Sequence, residues 1–217
     1  MKAKQVEKLL SGVYKNFIDS INHERVKFII ANRTFVSGGC IPSMLMGEFV
    51  NDYDIYFVDP NDAFFVKQYF KEIENNKEGK YHVKLITDNA INLSDKIQLI
   101  TRFSGTPKEV TDNFDWQHIK SYFIFPDTLV LTDDVYRLIV EKELIYTGSD
   151  YPLSSLFRLK KYLKKGWNVS IKTMTHIAMD IVKEFSEHTH VNEDIFKVDV
   201  DVLIKQLNGR NKIMYEE

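Results

Sequence analysis

The 217-residue sequence predicts an α+β fold: a mixed sheet with flanking helices over residues 1–130, followed by a small helical domain over residues 131–217. Two patterns predict it. Up to about residue 130, short runs rich in Val, Ile, Phe and Tyr alternate with helix-periodic stretches, as expected of a sheet with covering helices. From Thr132 onward the apolar runs recur at helical spacing. No Pro/Ser linker, internal repeat or low-complexity tract separates the two parts, so they are expected to pack together.

The elements follow in order. Val6, Leu9, Leu10, Val13, Phe17 and Ile21 mark an amphipathic helix over residues 4–22. "RTFVSGG" reads as a short strand ending in glycines. "IPSMLMGE" reads as a short helix with Pro42 in its first turn. "DYDIYFV" is rich in aromatic and branched residues and predicts a strand. "DPND" supplies turn and cap chemistry for a helix from Ala63 to Glu74. "YHVKLIT" and "KIQLITRF" predict two further strands, and "TPKEVTDNF" a short helix. "DWQHIKSYFIFPDTLVLT" predicts a hairpin turning at Pro126-Asp127. Four helices are expected after it: "DDVYRLIVEKEL", "PLSSLFRLKKYLKKGW", "IKTMTHIAMDIVKEF" and "DVDVLIKQLNG", the last ending on Asn208-Gly209.

A hydrophobic content of 44% is enough for a sizeable core. Lys+Arg number 29 against 31 Asp+Glu, a net charge of −2. That balance excludes a wholly basic nucleic-acid coat and confines any attraction for phosphate to a local patch. One cysteine, Cys40, excludes an internal disulfide and favours a reducing compartment. The first residues, "MKAKQVEKLLSGVYKNF", lack the apolar core of a signal peptide. No run approaches the roughly 18 apolar residues of a bilayer span. A soluble cytoplasmic protein is expected.

Chemistry concentrates in "FVSGGCIPSMLMGEFVNDYDIYFV", Phe35 to Val58. Alternate residues of a strand share a face, so Asp52 and Asp54 point the same way, roughly 7 Å apart by strand rise. Two carboxylates on one face repel unless a cation lies between them. Oxygen ligands so spaced suit Mg²⁺, which one or two carboxylates and substrate phosphates usually hold. Gly38 and Gly39 allow close approach of a phosphate, and a helix starting near Ile41 aims free N–H groups at it. Ser37 and Ser43 add hydroxyl donors. A second Asp-x-Asp, at Asp199 and Asp201, heads a predicted helix, where residues two apart do not share a face, and reads as capping.

"VSGGCIPSMLMGEFVNDYDIYF" resembles the signature of the nucleotidyltransferase superfamily, of DNA polymerase β-like fold: Gly-Gly or Gly-Ser, a short helix, then Asp-x-Asp on a strand, with a third acid on a later strand. The resemblance implies a nucleotidyltransferase catalytic domain over residues 1–130. It implies transfer of NMP from an NTP such as ATP to a hydroxyl, with release of pyrophosphate. It further implies two Mg²⁺ ions held by Asp52, Asp54 and a third carboxylate. Asp115, heading a β-patterned run, is the expected third ligand; Asp95 and Asp88 are the alternatives. Asp52, Asp54 and Asp115 are thus the expected catalytic and metal-binding residues.

"PLSSLFRLKKYLKKGWNVS" is similar to the basic helix that follows the catalytic domain in tRNA nucleotidyltransferases and bacterial poly(A) polymerases. The similarity implies that Arg158, Lys161 and Lys164 face phosphate, joining Ser37, Gly38, Gly39 and Ser43 as nucleotide-binding residues. Lys160 and Lys165 thicken the patch, and Leu156, Leu159 and Leu163 mark the opposite, buried side. Lysines replace arginines at some of these positions, which loses bidentate contacts. The expected acceptor is an RNA, tRNA-like 3′ end. The alternatives are nucleotidylation of a protein or small molecule, or a catalytically silent binding module of toxin–antitoxin type. No partner protein is inferable, and no membrane association is expected. Glu187, His188 and His190 are too sparse for a zinc site. His118 reads as a satisfied strand histidine, and Cys40 as a small packing residue.

Overall fold

The computed structural model describes residues 1–75 and 80–188, with side chains through residue 184. Helices α1 (Ala3–Ser20) and α2 (Glu24–Asn32) lead into strand β1 (Thr34–Ser37). Then come α3 (Cys40–Met46), β2 (Tyr53–Phe57) and α4 (Pro60–Glu72). Strands β3 (Val83–Ile86), β4 (Ala90–Leu93) and β5 (Ile97–Ser104) follow, then α5 (Pro107–Asp112). A 3-10 turn (Gln117–Ile119) precedes the hairpin β6 (Tyr122–Ile124) and β7 (Thr128–Val130). The rest is α6 (Asp133–Glu141), β8 (Glu143–Leu144), α7 (Pro152–Lys164), β9 (Asn168–Val169) and α8 (Ile171–His188).

Local chemistry sets many of the boundaries. Asp59 caps α4 by accepting from the Asn61 amide, and Pro60 fills its first position, where no amide is needed. Thr106 and Glu109 form a capping box on α5, and Thr132 caps α6. Gly47, at φ 71°, ends α3 in the left-handed conformation that glycine adopts without strain.

Strands β1 to β7 form one mixed sheet in the order β3-β4-β5-β2-β1-β6-β7, and β8 and β9 form a separate parallel pair. In the mixed sheet the central β2 and β5 run parallel, and the other neighbours are antiparallel. One face carries Val36, Ile55, Phe57, Ile97, Leu99 and Phe123, buried under apolar residues of α1, α2 and α4. In α1 these are Val6, Leu10, Tyr14 and Phe17, three and four apart. Burying each large side chain contributes about 1.5–3 kcal/mol. The same core continues across residue 130 into Val135, Ile139, Leu144, Leu159, Trp167 and Ile177. On the second face Phe35 and Tyr56 pack against Val110 of α5, together with Ile100, Phe114 and Tyr122. No described helix is long and apolar enough to cross a membrane.

Helix α2 and strand β4 are additions to the predicted elements. Strand β4 has only four residues between polar turns, and Thr87 closes its approach by accepting from the Ala90 amide, so no periodic run marks it. The stretch from Asp115 to Ile119 departs from expectation. It is a bend and a 3-10 turn, because its backbone pairs with residues 145–147: Gln117 N–H donates to Ile145 O at 2.9 Å and Thr147 N–H to Asp115 O at 2.9 Å. Of the three leucines expected on the buried side of α7, only Leu159 is buried; Leu156 and Leu163 are 40% and 42% exposed. The side chains of Glu187 and His188, all of His190, the Asp199/Asp201 pair and the last predicted helix lie outside the described residues.

Candidate active site

Antiparallel pairing of β1 with β2 sets Ser37 opposite Asp54. Ser37 is buried, and its hydroxyl donates to Ser121 O at 2.7 Å. Gly38 follows at φ +87°, and a Cβ there would lie 3.1 Å from Asp54 Oδ2. The Asp54 carboxylate therefore rests against bare backbone, a contact that only glycine provides. Gly39 has an ordinary φ of −69° at the cap of α3, and a Cβ there would meet nothing within 4 Å. The conformational demand falls on Gly38, while Gly39 borders open space. Ser43 is buried within α3.

Asp52 is exposed just before β2, and Asp54 is largely buried within it. Asp52, Asp54 and Tyr56 alternate with Tyr53, Ile55 and Phe57, so the carboxylates stand on the face turned away from the main core. Burial, and next the charge of Asp52, push the Asp54 carboxyl up to about 7; Arg158 and Lys161 pull it the other way. Both cations therefore act at Asp54, although α7 is a hundred residues further on.

Strand register adds groups that sequence reasoning missed. Asn92 pairs with Gln98, Gln98 with Asp54, Asp54 with Ser37, and Ser37 with Tyr122. Paired residues share a face, so Asp54 sits in a polar row with a neutral amide on one side and a hydroxyl on the other. Nothing in the local sequence marks Gln98, because only the β2–β5 register brings it beside Asp54.

Three lysines hold the loop between α3 and Asp52. Glu48 accepts from Lys142 at 3.3 Å and from Lys165 at 3.4 Å. Lys142 Nζ also donates to Lys165 O at 3.1 Å. Lys96 Nζ donates to Val50 O at 2.8 Å and stands 3.4 Å from the centroid of the Phe49 ring. Lys165 is thus an anchor of this loop rather than a further member of an open cationic patch. Lys160, Lys161 and Lys164 are exposed along α7.

Asp115 is 4% exposed, and one of its oxygens, Oδ2, accepts from Ser155 Oγ at 2.7 Å and from Arg158 Nη1 at 2.6 Å. The expected third ligand is thus paired with an arginine of α7. Asp95 is exposed on the β4–β5 turn and pairs with Lys80 at 3.2 Å, and Asp88 is exposed before β4. Among the described residues no group of three or more His, Cys, Asp or Glu side chains could hold a metal ion by itself. Two like-charged carboxylates, one with a raised pKa, still make a donor set that a divalent cation relieves. Such a set fits an ion completed by substrate phosphates, which is how Mg²⁺ is usually held.

His118 is fully buried in a cage of Trp116, Tyr162 and Trp167, with ring centroids 6.5, 4.6 and 4.2 Å away. Neither ring nitrogen has a hydrogen-bond partner among the described residues, and burial lowers its pKa to about 3. It packs in the core, but in a 3-10 turn and unsatisfied rather than as the satisfied strand histidine expected. Cys40 is buried, and burial, with Asp54 nearby, raises its pKa, which keeps it a thiol.

Solved structures of tRNA-processing nucleotidyltransferases share the fold. An apo tRNA-processing enzyme superposes with a TM-score of 0.53 at 13% identity, over 84% of this chain and 48% of that one. The Bacillus stearothermophilus CCA-adding enzyme in complex with CTP gives 0.52 at 13%, over 88% and 46%. An apo CCA-adding enzyme gives 0.51 at 16%, over 82% and 47%. The chain corresponds to about half the length of each. At these identities the likeness establishes a nucleotidyltransferase-like fold and nothing finer. No curated protein matches the sequence. Residues 8–142, which carry most of α1, the whole seven-stranded sheet, the carboxylate pair and α6, match the profile of the Gabija anti-defense 2 family proteins, and with over half of its length so matched the chain belongs to that family.

Proposed function

We propose that the protein is a Mg²⁺-dependent nucleotidyltransferase that passes NMP from an NTP to a hydroxyl and releases pyrophosphate. One observation carries the reading: Asp54 lies against Gly38 beside Asp52, with its pKa raised and two cations of α7 within electrostatic reach. Asp52 and Asp54 would hold the ion. When bound, Mg²⁺ polarises phosphate oxygens and favours ionisation of an attacking hydroxyl. Arg158 and Lys161 would offset the charge of the triphosphate, and the open space above Gly39 admits a phosphate close to backbone. Ser37, its hydroxyl engaged with Ser121 O, would act by fixing β1 rather than by donating to nucleotide.

The acceptor on this reading is an RNA 3′ end, which the exposed Lys160, Lys161 and Lys164 would meet through its phosphates. The family description favours a second acceptor, a hydroxyl on a protein or small molecule of the defence system that it names. The test is incorporation of labelled NMP by wild type, Asp52→Asn and Asp54→Asn, each checked for folding. Each variant should lose transfer; unchanged incorporation by either sinks the assignment. RNA binding that weakens with salt by a log–log slope of roughly −0.7 per phosphate contact, and less steeply in Lys161→Gln/Lys164→Gln, supports the RNA acceptor. RNA binding absent from wild type at low salt selects the second acceptor. A wild type that binds NTP yet transfers to no acceptor is the silent module.

A further inference from the structure

We propose that Asp115 is a positioning residue that fixes Arg158 for the phosphates of a bound nucleotide, and is not a metal ligand. The inference rests on the nucleotide-binding reading above. Asp115 is 4% exposed and is held at both its backbone and its side chain. Its carbonyl accepts from the Thr147 amide at 2.9 Å, and the next residue, Trp116, forms a bridge with Tyr146. This places the carboxylate under α7. Ser155 and Arg158, three apart and so on one helix face, both donate to Oδ2.

A desolvated carboxylate that accepts two charge-assisted or hydroxyl bonds is a stiff anchor. The arginine it holds is different: its side chain is 34% exposed, and its charge acts on both Asp54 and Tyr56. A guanidinium presents its donors in a planar fork, and the bond to Asp115 fixes the direction of that fork. The arrangement orients the cation in the protein while its charge acts on Asp54. Oδ2 already accepts two bonds, and Ser155 is fully buried beside it, so the carboxylate serves α7 rather than the space above β2.

The experiment is a double-mutant cycle read on nucleotide affinity. Wild type, Asp115→Asn, Arg158→Gln and the double variant are titrated calorimetrically with each of the four ribonucleoside triphosphates in the presence of Mg²⁺. Asp115→Asn should weaken binding about tenfold, equivalent to about 1.4 kcal/mol, and the double variant should bind no worse than Arg158→Gln alone. Titration with Mn²⁺ alone, followed by electron paramagnetic resonance, should be unchanged in Asp115→Asn and weakened in Asp54→Asn. Additive losses in the cycle, or weakened Mn²⁺ binding in Asp115→Asn, would overturn the assignment. So would triphosphate binding that Asp115→Asn leaves untouched, and in that case the functional reading survives. A wild type that binds none of the four triphosphates overturns both. If Asp115→Asn does not fold, Ser155→Ala decides: it removes one bond to the same oxygen and should weaken triphosphate binding two- to threefold without altering Mn²⁺ binding. An unchanged affinity in that variant refutes the anchor.

Discussion

The raised pKa of Asp54 makes stability depend on pH in a way that one substitution removes. Its carboxyl titrates near 7 in the folded protein against the ordinary 3.8. Between those values the folded protein keeps a proton that the unfolded chain has released, so this group makes stability fall as pH rises through the window. At about 1.36 kcal/mol per pH unit, the loss between pH 5 and pH 8 is about 2–3 kcal/mol. His118, lowered to about 3, acts with the opposite sign over part of the same range. The quantity to measure is therefore the difference between Asp54→Asn and wild type, from urea unfolding of the apo proteins at several pH values. The variant should match wild type near pH 5 and exceed it by about 2–3 kcal/mol at pH 8. Adding Mn²⁺ at pH 8 should stabilise wild type and leave Asp54→Asn unmoved, and the ion's affinity for wild type should fade below pH 7. Parallel curves for the two proteins from pH 5 to pH 8 would show that Asp54 ionises normally and would refute the reasoning.

Two further substitutions test the local geometry. Gly38→Ala places a Cβ 3.1 Å from Asp54 Oδ2 at a left-handed backbone position. It should cost about 1–2 kcal/mol in urea unfolding and reduce transfer, whereas Gly39→Ala should leave stability within about 0.5 kcal/mol. His118→Phe replaces an imidazole with two unsatisfied nitrogens by an apolar ring in an aromatic cage, and should be neutral or stabilising by about 1 kcal/mol. A loss above about 2 kcal/mol would mean that the imidazole makes a bond essential to the fold.

The carboxylate pair and the glycines were legible because they depend on local rules. Alternation along one strand places Asp52 and Asp54 on one face, and a glycine pair before a short helix marks a close backbone approach. The strands β1, β2, β5, β6 and β7 were legible from composition and turn residues, although four-residue β4 was not. What escaped the sequence is set by distant partners. Asp115 reads as the start of a strand, yet its side-chain partners lie 40 and 43 residues away, and its backbone pairs with the segment just before α7. Gln98 is an ordinary polar residue until strand register sets it beside Asp54. The lysines of α7 look alike in sequence, and only the position of Glu48 separates the anchored Lys165 from its exposed neighbours.

The tethering of the Glu48–Asp52 segment has an entropic consequence. Five residues between a helix and a strand ordinarily sample many conformations, and fixing each backbone costs about 1–2 kcal/mol. Here Lys142, Lys165 and Lys96 restrain the segment through Glu48, Val50 and the Phe49 ring, all within the folded chain itself. The ordering cost is met on folding, so an incoming ligand finds Asp52 already beside Asp54 and keeps more of its interaction energy as affinity. Cutting these tethers would return that cost to the binding step, weakening association while leaving every group that touches the ligand unchanged.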